Sequence, residues 1–285
     1  MTHKLKSESS GTRAPGPPVV PLRSARPLKT KEDRHFVSAL ARGLKVLSCF
    51  RSGDEILGNH EIARRAGLPK STISRLTYTL TKLGYLQYVP DSVKYRLGTA
   101  TLGLGSAMLA RLDIRQLARP LMQELANFSR AMVSLGVRER LSMIYIENCR
   151  SQSALTLSLD VGSRISIATT AMGRAYIALM PEAERAELLA QVRARDEAAW
   201  PRVYEGIEKA LAQYRELGCC CSFGDWQSDV NAIAVAFQPG RGLPLMSINC
   251  GGPAFQLSPE FLLTEARPRL IELVRRLELP HGGDV

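Results

Sequence analysis

The chain has 285 residues, of which 45% are hydrophobic and 23% are charged. This is the composition of a globular protein, and the length allows about two domains with separate cores. No apolar run is long enough to cross a membrane, which excludes a membrane-spanning protein. The N-terminal stretch also lacks the apolar core of a signal peptide, so we expect a cytoplasmic protein.

The charge is distributed unevenly along the chain, whose net charge is +11. Residues 1–105 carry 18 Lys and Arg against 7 Asp and Glu, whereas residues 106–285 carry 20 of each sign. A surface that only needs to be soluble would spread the excess more evenly. A basic module joined to a neutral one indicates that the first meets a polyanion and that the second has another task.

The first 50 residues divide into a tail and a helix. Residues 1–32 are rich in Pro, Ser, Lys and Arg, and we interpret them as a disordered basic tail. Such a tail either adds non-specific phosphate contacts or has no role. Apolar residues at helical spacing predict a helix over about residues 36–50. After a turn, Ile56 and Leu57 are predicted to form a short extended piece.

Residues 59–83, NHEIARRAGLPKSTISRLTYTLTKL, carry the strongest local pattern. One helix is predicted over about residues 60–66 and a second over about residues 70–83. Gly67 can take a positive φ at little cost and so end the first helix. The spacing is typical of a helix-turn-helix, whose second helix enters a DNA major groove, although an ordinary helical hairpin can share it.

A β-hairpin is predicted directly after the second helix. Residues 84–89 and 93–98 alternate in polarity on either side of a Pro-Asp-Ser turn. A hairpin in this position is a wing, so the pattern becomes a winged helix-turn-helix. We expect the groove-facing side chains of the second helix to be Ser71, Thr72, Ser74 and Arg75. The DNA backbone would be held by Arg42, Lys70, Lys94 and Arg96.

Several stretches resemble the IclR family of bacterial transcription regulators over about residues 35–280. They are ALARGLKVL, EIARRAGLPKSTISRLTYTLTKLGYL and YRLG, followed later by VGSRISIATTAMGRAYIALMPEAE and NAIAVAF…GLPLMSINCGG. The resemblance implies an α+β protein in which a winged helix-turn-helix is joined by a linker helix to a GAF-like effector-binding domain. It also implies a regulator that binds double-stranded operator DNA as a dimer or tetramer.

The predicted domains are a basic tail (1–32), a winged helix-turn-helix (33–98), a linker helix (99–112) and a GAF-like domain (113–280). The helix at 36–50 and the linker helix are the expected dimer contacts. In the last domain we predict a helix over residues 113–129, with a kink or an earlier end at Pro120. Its apolar face would carry Ile114, Leu117, Leu121, Leu125 and Phe128.

The rest of the last domain is predicted to be an antiparallel sheet with flanking helices. Three strands are expected within residues 131–168, as MVSLGVRE, LSMIYIENCR and ALTLSLD. Three helices follow within residues 170–217. Three more strands are expected at 219–223, 231–237 and 245–250, before a terminal helix over 259–277.

The segment TTAMGRA at residues 169–175 places a helix N-terminus beside the sheet, where unpaired N–H groups favour a small carboxylate. The resemblance implies that this segment and the last strands form the effector pocket for a small organic acid, either a simple carboxylate or an aromatic acid. Its residues would be Ala171, Met172, Gly173, Ser222, Asn231, Ala232, Asn249 and Gly251, with Leu155 and Leu157 as apolar walls. Many relatives carry an acidic residue near position 222 and hydroxyl residues near 249 and 251, so the effector's identity does not transfer.

The six cysteines show no Cys-x-x-Cys spacing, so we predict buried free thiols in preference to disulfides, a metal site or a redox role for Cys219–Cys221. No catalytic triad order, phosphate-binding loop or metal signature is present, and we predict a non-enzyme that needs no cofactor. An alternative is a GAF-like sensor that acts through protein contacts without sequence-specific DNA binding. Salt-dependent DNA binding would distinguish the regulator from this alternative.

Overall fold

The computed structural model describes residues 36–51, 54–109, 113–151, 159–240 and 243–278. The N-terminal part contains three helices, α1 (Ser38–Leu47), α2 (Asn59–Ala66) and α3 (Lys70–Lys82). A hairpin of β1 (Leu86–Val89) and β2 (Lys94–Leu97) follows. The predicted basic tail lies outside the described residues.

A small core holds α2, α3 and the hairpin together. Ile62 of α2, Ile73 of α3 and Leu86 of β1 are buried in one cluster. Gly67 ends α2 in the left-handed region with φ 61°, as the sequence predicted. Leu57 pairs with Tyr95 in an isolated β-bridge, which confirms the short extended piece before α2. Residues 59–97 therefore form a helix-turn-helix followed by a wing.

Two helices follow the wing, α4 (Thr99–Leu109) and α5 (Asp113–Ser129). The predicted earlier end at Pro120 was wrong, because α5 continues through this residue, and the alternative of a kink stays a prediction. A proline inside a helix costs about 3 kcal/mol. The burial of Ala118 and Met122 against the sheet offsets this cost. The buried stripe also differs from the predicted one, since Leu117 and Phe128 are about 40% exposed.

A six-stranded antiparallel sheet forms the centre of the last domain, in the order β5-β4-β3-β8-β7-β6. Its strands are β3 (Met132–Glu139), β4 (Ser142–Arg150), β5 (Arg164–Ser166), β6 (Cys220–Phe223), β7 (Val230–Phe237) and β8 (Met246–Pro253). The strand predicted at ALTLSLD lies almost wholly outside the described residues, and β5 was not predicted. The antiparallel sheet with helices confirms the α+β class.

Each face of the sheet is covered by its own set of helices. One face, here called the α5 face, packs against α5 and against α10 (Arg267–Glu278). The other, here called the α6 face, packs against α6 (Ala171–Leu179) and α8 (Trp200–Leu217). The remaining helices are α7 (Glu182–Arg195) and the short α9 (Pro259–Phe261), which is joined to α10 by a π-helical turn.

All six cysteines are buried and free, as the sequence predicted. Three of them occupy one cross-strand row on the α5 face, where Cys149 and Cys250 flank Val133, and Cys250 and Cys221 flank Ile233. A strand lies between successive thiols of this row, so neighbouring cysteines are too far apart for disulfides. Their small volume lets α5 and α10 approach the sheet closely.

Candidate DNA interface and effector site

The outer face of α3 presents the side chains that the sequence assigned to DNA. Ser71, Ser74 and Arg75 are exposed, whereas Thr72 is half-buried. Burial of Ile73, Thr77 and Leu80 on the opposite side fixes the rotation of the helix. The part of the chain that the structure describes offers no hydrogen bond or ion pair to the guanidinium of Arg75. Arg75 is therefore available to an external acceptor.

Other side chains hold the turn of the helix-turn-helix in place. Ser74 Oγ donates to Lys70 O (3.1 Å) and accepts from Asn59 Nδ2 (3.5 Å). Arg65 joins Asp54 to Glu61, which fixes the start of α2 against the preceding loop. The paired guanidiniums of Arg64 and Arg65 lower the pKa of Glu61 to about 2. Arg64 and Arg65 are therefore engaged in ion pairs within the protein.

The predicted backbone contacts lie on three elements. Lys70 is exposed at the first turn of α3, and Arg42 is exposed on α1. Lys94 and Arg96 are exposed on the same side of β2, and Arg96 Nε donates to Gln87 Oε1 (3.0 Å) on β1. The wing thus carries two cations on one strand face, at the roughly 7 Å spacing of alternate strand residues.

The start of α6 lies against the α6 face of the sheet. Thr170 caps the helix, since its Oγ1 accepts from Gly173 N (3.1 Å). The N–H of Gly173 is thus used by the cap, and the place of Gly173 in the effector site stays a prediction. A Cβ at Gly173 would lie 2.1 Å from Ile167 O, so glycine is needed here for close packing. Within the described residues, the N–H groups of the buried Ala171 and Met172 have no hydrogen-bond partner.

Arg174 locks this helix start in place. Its buried guanidinium donates to Ala168 O (3.2 Å) and Cys221 O (3.2 Å) and forms an ion pair with Asp225. Gly206 of α8 leaves the space that the guanidinium needs, because a Cβ there would lie 2.4 Å from an Arg174 nitrogen. The start of α6, β6 and α8 are thereby tied together.

The predicted effector residues on the strands divide between the two faces. Ala232 lies in the cluster on the α6 face, and Asn249 and Gly251 share that face because they alternate with Ile248 and Cys250 of the α5 face. Ser222 is also there, with Oγ donating to Thr169 O (3.1 Å). Asn231 was wrongly assigned, since it lies on the α5 face and donates to Leu257 O (2.9 Å). Leu155 and Leu157 lie outside the described residues.

Comparison with known proteins gives two family matches along the chain. Residues 39–90 match the IclR helix-turn-helix domain, and residues 106–278 match the C-terminal domain of bacterial IclR transcriptional regulators. The chain belongs to the IclR family.

Individual relatives also support membership of the IclR family. The chain is 34% identical to the HTH-type transcriptional regulator TsaQ1/TsaQ2 of Comamonas testosteroni, over 85% of this chain and 88% of that protein. An IclR family regulator from Brucella abortus is 44% identical, with a TM-score of 0.77 over 87% of this chain and 93% of that one. An IclR homologue from Microbacterium hydrocarbonoxydans, solved with 4-hydroxybenzoate, is 25% identical, with a TM-score of 0.64 over 84% and 99% of the two chains.

As an IclR family member, the chain is a transcriptional regulator with a helix-turn-helix DNA-binding domain. This decides against the alternative of a sensor without DNA binding. Its relatives are regulators, not enzymes. No helix within the described residues is both long enough and apolar enough to cross a membrane. The same residues contain no group of three or more His, Cys, Asp or Glu that could hold a metal ion.

Three polar residues on the α6 face were not predicted from the sequence. Ser134 of β3 and Tyr145 of β4 are buried there, and Asn148 of β4 is half-buried beside Ser134. Strand periodicity could have placed Ser134 opposite the buried Val133 and Leu135. A β-bulge in β4 breaks the alternation between Tyr145 and Asn148. Their position on the same face of the sheet therefore could not be predicted from their spacing in the sequence.

Proposed function

We propose that the protein binds operator DNA as a dimer or a pair of dimers, with α3 in the major groove. Arg75 is the central base-reading residue, assisted by Ser71 and Ser74. The observation that carries the proposal is the exposed, unpaired guanidinium of Arg75 on a helix whose other face is packed. Arginine makes the commonest specific base contact, a bidentate pair with guanine.

The phosphate contacts are assigned to Arg42, Lys70, Lys94 and Arg96. The confinement of the net positive charge to residues 1–105 supports this assignment, because phosphate neutralisation drives DNA affinity. Thr72, half-buried on α3, has a smaller part in base reading than its exposed neighbours. The protein works in the cytoplasm, where the DNA is.

The effector is a small organic acid bound at the α6 face. The N–H groups of Ala171 and Met172 at the start of α6 would receive its carboxylate, since a helix N-terminus favours an anion. Ala232, Asn249 and Gly251 line the same face of the sheet. The Microbacterium hydrocarbonoxydans homologue that binds 4-hydroxybenzoate supports an acid of this size. The acid acts through unequal affinities for DNA-competent and DNA-incompetent arrangements.

The proposed DNA binding is tested by fluorescence anisotropy with the protein's own promoter region. Arg75→Ala should cost about 1–3 kcal/mol of specific affinity and leave the melting temperature unchanged. Lys94→Ala should weaken binding to all sequences and reduce the salt slope by about one. Arg215→Ala, which removes an exposed cation of α8, is the matched control. Unchanged promoter affinity in Arg75→Ala would show that α3 does not read the operator in this way.

A further inference from the structure

A row of polar side chains crosses the α6 face of the sheet. Ser134 of β3 is paired in register with Asn249 of β8 on one side and with Asn148 of β4 on the other. Ser134 is 0% exposed and Asn249 is 7% exposed. The hydroxyl of Tyr145, which is buried on the same face, lies beside both Asn249 and Ser134.

Among the residues that the structure describes, three oxygens of this row receive no well-aligned hydrogen bond, although the hydroxyl of Tyr145 lies close to two of them. They are Ser134 Oγ, Asn249 Oδ1 and Asn148 Oδ1, each shielded from solvent. Leaving a buried polar atom unpaired costs about 1–3 kcal/mol, so such atoms are rare in folded proteins. Two other buried polar side chains of the same sheet are hydrogen-bonded, since Ser247 Oγ donates to Val235 O (3.2 Å) and Asn231 donates to Leu257 O (2.9 Å).

The row is electrically neutral. Of the buried charged residues that the structure describes, Glu147 lies on the α5 face, bound to Arg115 and Arg119, and Arg174 is paired with Asp225. Burial raises the pKa of Tyr145 to about 12, which keeps its hydroxyl protonated. A carboxylate at the row would face the amide oxygens of Asn249 and Asn148, which can only accept hydrogen bonds, and an ammonium would be buried without a counter-charge. A neutral O–H or N–H donor avoids both costs.

The start of α6 contacts β3, the strand that carries Ser134. Met172 packs directly over Gly136, where a Cβ would lie 2.5 Å from its sulfur. Gly136 is two residues along β3 from Ser134, a separation of roughly 7 Å.

We propose that the Ser134–Asn249–Tyr145 cluster recognises a neutral hydrogen-bond donor on the effector, a hydroxyl or an N–H placed at the end remote from its carboxylate. Ser134 and Asn249 accept from this donor, and Tyr145 orients Asn249. The inference rests on the proposed acid-binding function of the α6 face. It adds that the ligand is a hydroxylated or amino-bearing acid, and that the acid without this group binds weakly.

The first test needs no ligand. Ser134→Ala removes an unpaired oxygen, so the ligand-free protein should melt at an equal or higher temperature than the wild type. Ser247→Ala is the matched control, because it removes an equally buried serine hydroxyl that is hydrogen-bonded, and its melting temperature should fall. A fall for Ser134→Ala as large as that for Ser247→Ala would assign Ser134 to a structural hydrogen bond and overturn the proposal.

The second test compares acids that differ in one donor. Calorimetry on the full chain would use 4-hydroxybenzoate against 4-methylbenzoate, 4-aminobenzoate against benzoate, and lactate against propionate. In at least one pair the donor-bearing acid should bind about tenfold or more tightly, and Ser134→Ala or Asn249→Leu should remove the difference while Ser247→Ala keeps it.

The outcomes separate this inference from the proposed function. If both members of every pair that binds have equal affinity, the Ser134–Asn249–Tyr145 cluster does not recognise a donor. The proposal of an acid effector would still hold. Binding of no acid in any pair would overturn both. Preference for the donor-bearing acid that survives in Ser134→Ala and Asn249→Leu would place its donor elsewhere and refute the cluster.

Discussion

Single buried residues in this protein differ in whether their polar atoms are satisfied. Arg174 has acceptors on three sides of its guanidinium, whereas oxygens of Ser134 and Asn249 receive no well-aligned hydrogen bond from the described residues. The first arrangement stabilises the fold. The second costs stability in the absence of a partner, and it coincides with the face to which we assign the effector.

Replacing Arg174 should destabilise the last domain. Arg174→Met leaves the carbonyls of Ala168 and Cys221 without a donor and should cost about 2–4 kcal/mol. Arg193→Met breaks an exposed ion pair with Glu197 and should cost less than about 1 kcal/mol. Urea unfolding of both variants would check this difference. Equal stabilities would mean that the buried guanidinium is dispensable.

The carboxylates at the start of α2 should make the winged helix sensitive to acid. Arg64 and Arg65 hold the pKa of Glu61 at about 2, and Arg65 lowers that of Asp54. A pKa depressed in the folded state means that the unfolded state binds more protons at low pH. The stabilisation is therefore present above about pH 4.5 and lost as the pH falls towards 2.

Arg65→Gln should flatten this acid-dependent loss. Urea midpoints followed by circular dichroism between about pH 6 and about pH 3 would show it, with Arg215→Gln as a control of equal charge change. The wild type and Arg215→Gln should lose stability over this range more steeply than Arg65→Gln. Parallel curves for all three proteins would exclude the Arg65 network as the source.

At the scale of elements, the junction between α3 and the wing depends on a close backbone approach. Gly98 N donates to Tyr85 O (2.8 Å), and a Cβ at Gly98 would lie 2.1 Å from Gly84 O. No side chain fits there without moving the hairpin. The wing's cations Lys94 and Arg96 would move with it, so we expect a substitution of this glycine to affect DNA binding.

Gly98→Ala should therefore cost about 1–3 kcal/mol of stability and weaken DNA binding. Gly103→Ala is the matched control, because nothing lies within 4 Å of a Cβ at this position in α4. That change should stabilise the helix by about 0.5–1 kcal/mol. Thermal unfolding and promoter anisotropy would measure both variants, and full promoter affinity in Gly98→Ala would contradict the argument.

A second element-scale feature connects β4 with α5. The bulge in β4 turns Glu147 towards α5, where Arg115 Nη2 (2.9 Å) and Arg119 Nη1 (2.6 Å) bind its carboxylate. These pairs hold the first turns of α5 to the strand that also carries Tyr145 and Asn148 on the α6 face. Together with Ala118 and Met122, they explain how α5 tolerates Pro120.

At the scale of the whole molecule, we expect DNA recognition to need a second copy of α3. Symmetric half-sites are read by two recognition helices. Leu102 and Leu104 of α4 are 70% and 60% exposed, and Leu40 and Leu44 of α1 are also more than half exposed. Exposed leucines on two helices are what a dimer contact through α1 and α4 requires. The dimer contact itself remains a prediction of the sequence.

Disrupting this contact should produce monomers. Leu102→Asp combined with Leu104→Asp should raise the dimer dissociation constant about tenfold or more, since two charges would be buried in an apolar contact. Val161→Asp, at a residue 41% exposed in the last domain, should leave association unchanged. Sedimentation velocity over a range of concentrations would compare them. Unchanged sedimentation of the double variant would exclude α4 from the dimer contact.

The sequence by itself determined the helix-turn-helix, the wing and most of the strands. These elements follow from local periodicity and from helix-ending residues such as Gly67. Their exposed cations can be identified from the sequence without knowledge of the fold. It also placed Arg75 on the outer face of α3, because Ile73 and Leu80 on the same helix mark the inner face.

Only the tertiary structure decided which residues meet at the α6 face. Alternation along a strand separates two sets of side chains, but it does not say which set faces which helix. Asn231 was misplaced for this reason, since burial of Ile233 and Val235 turns it to the α5 face. The row of Ser134 and Asn249 joins β3 and β8, which are more than 100 residues apart in the chain. Its existence depends on strand register, which is set by packing across the whole sheet.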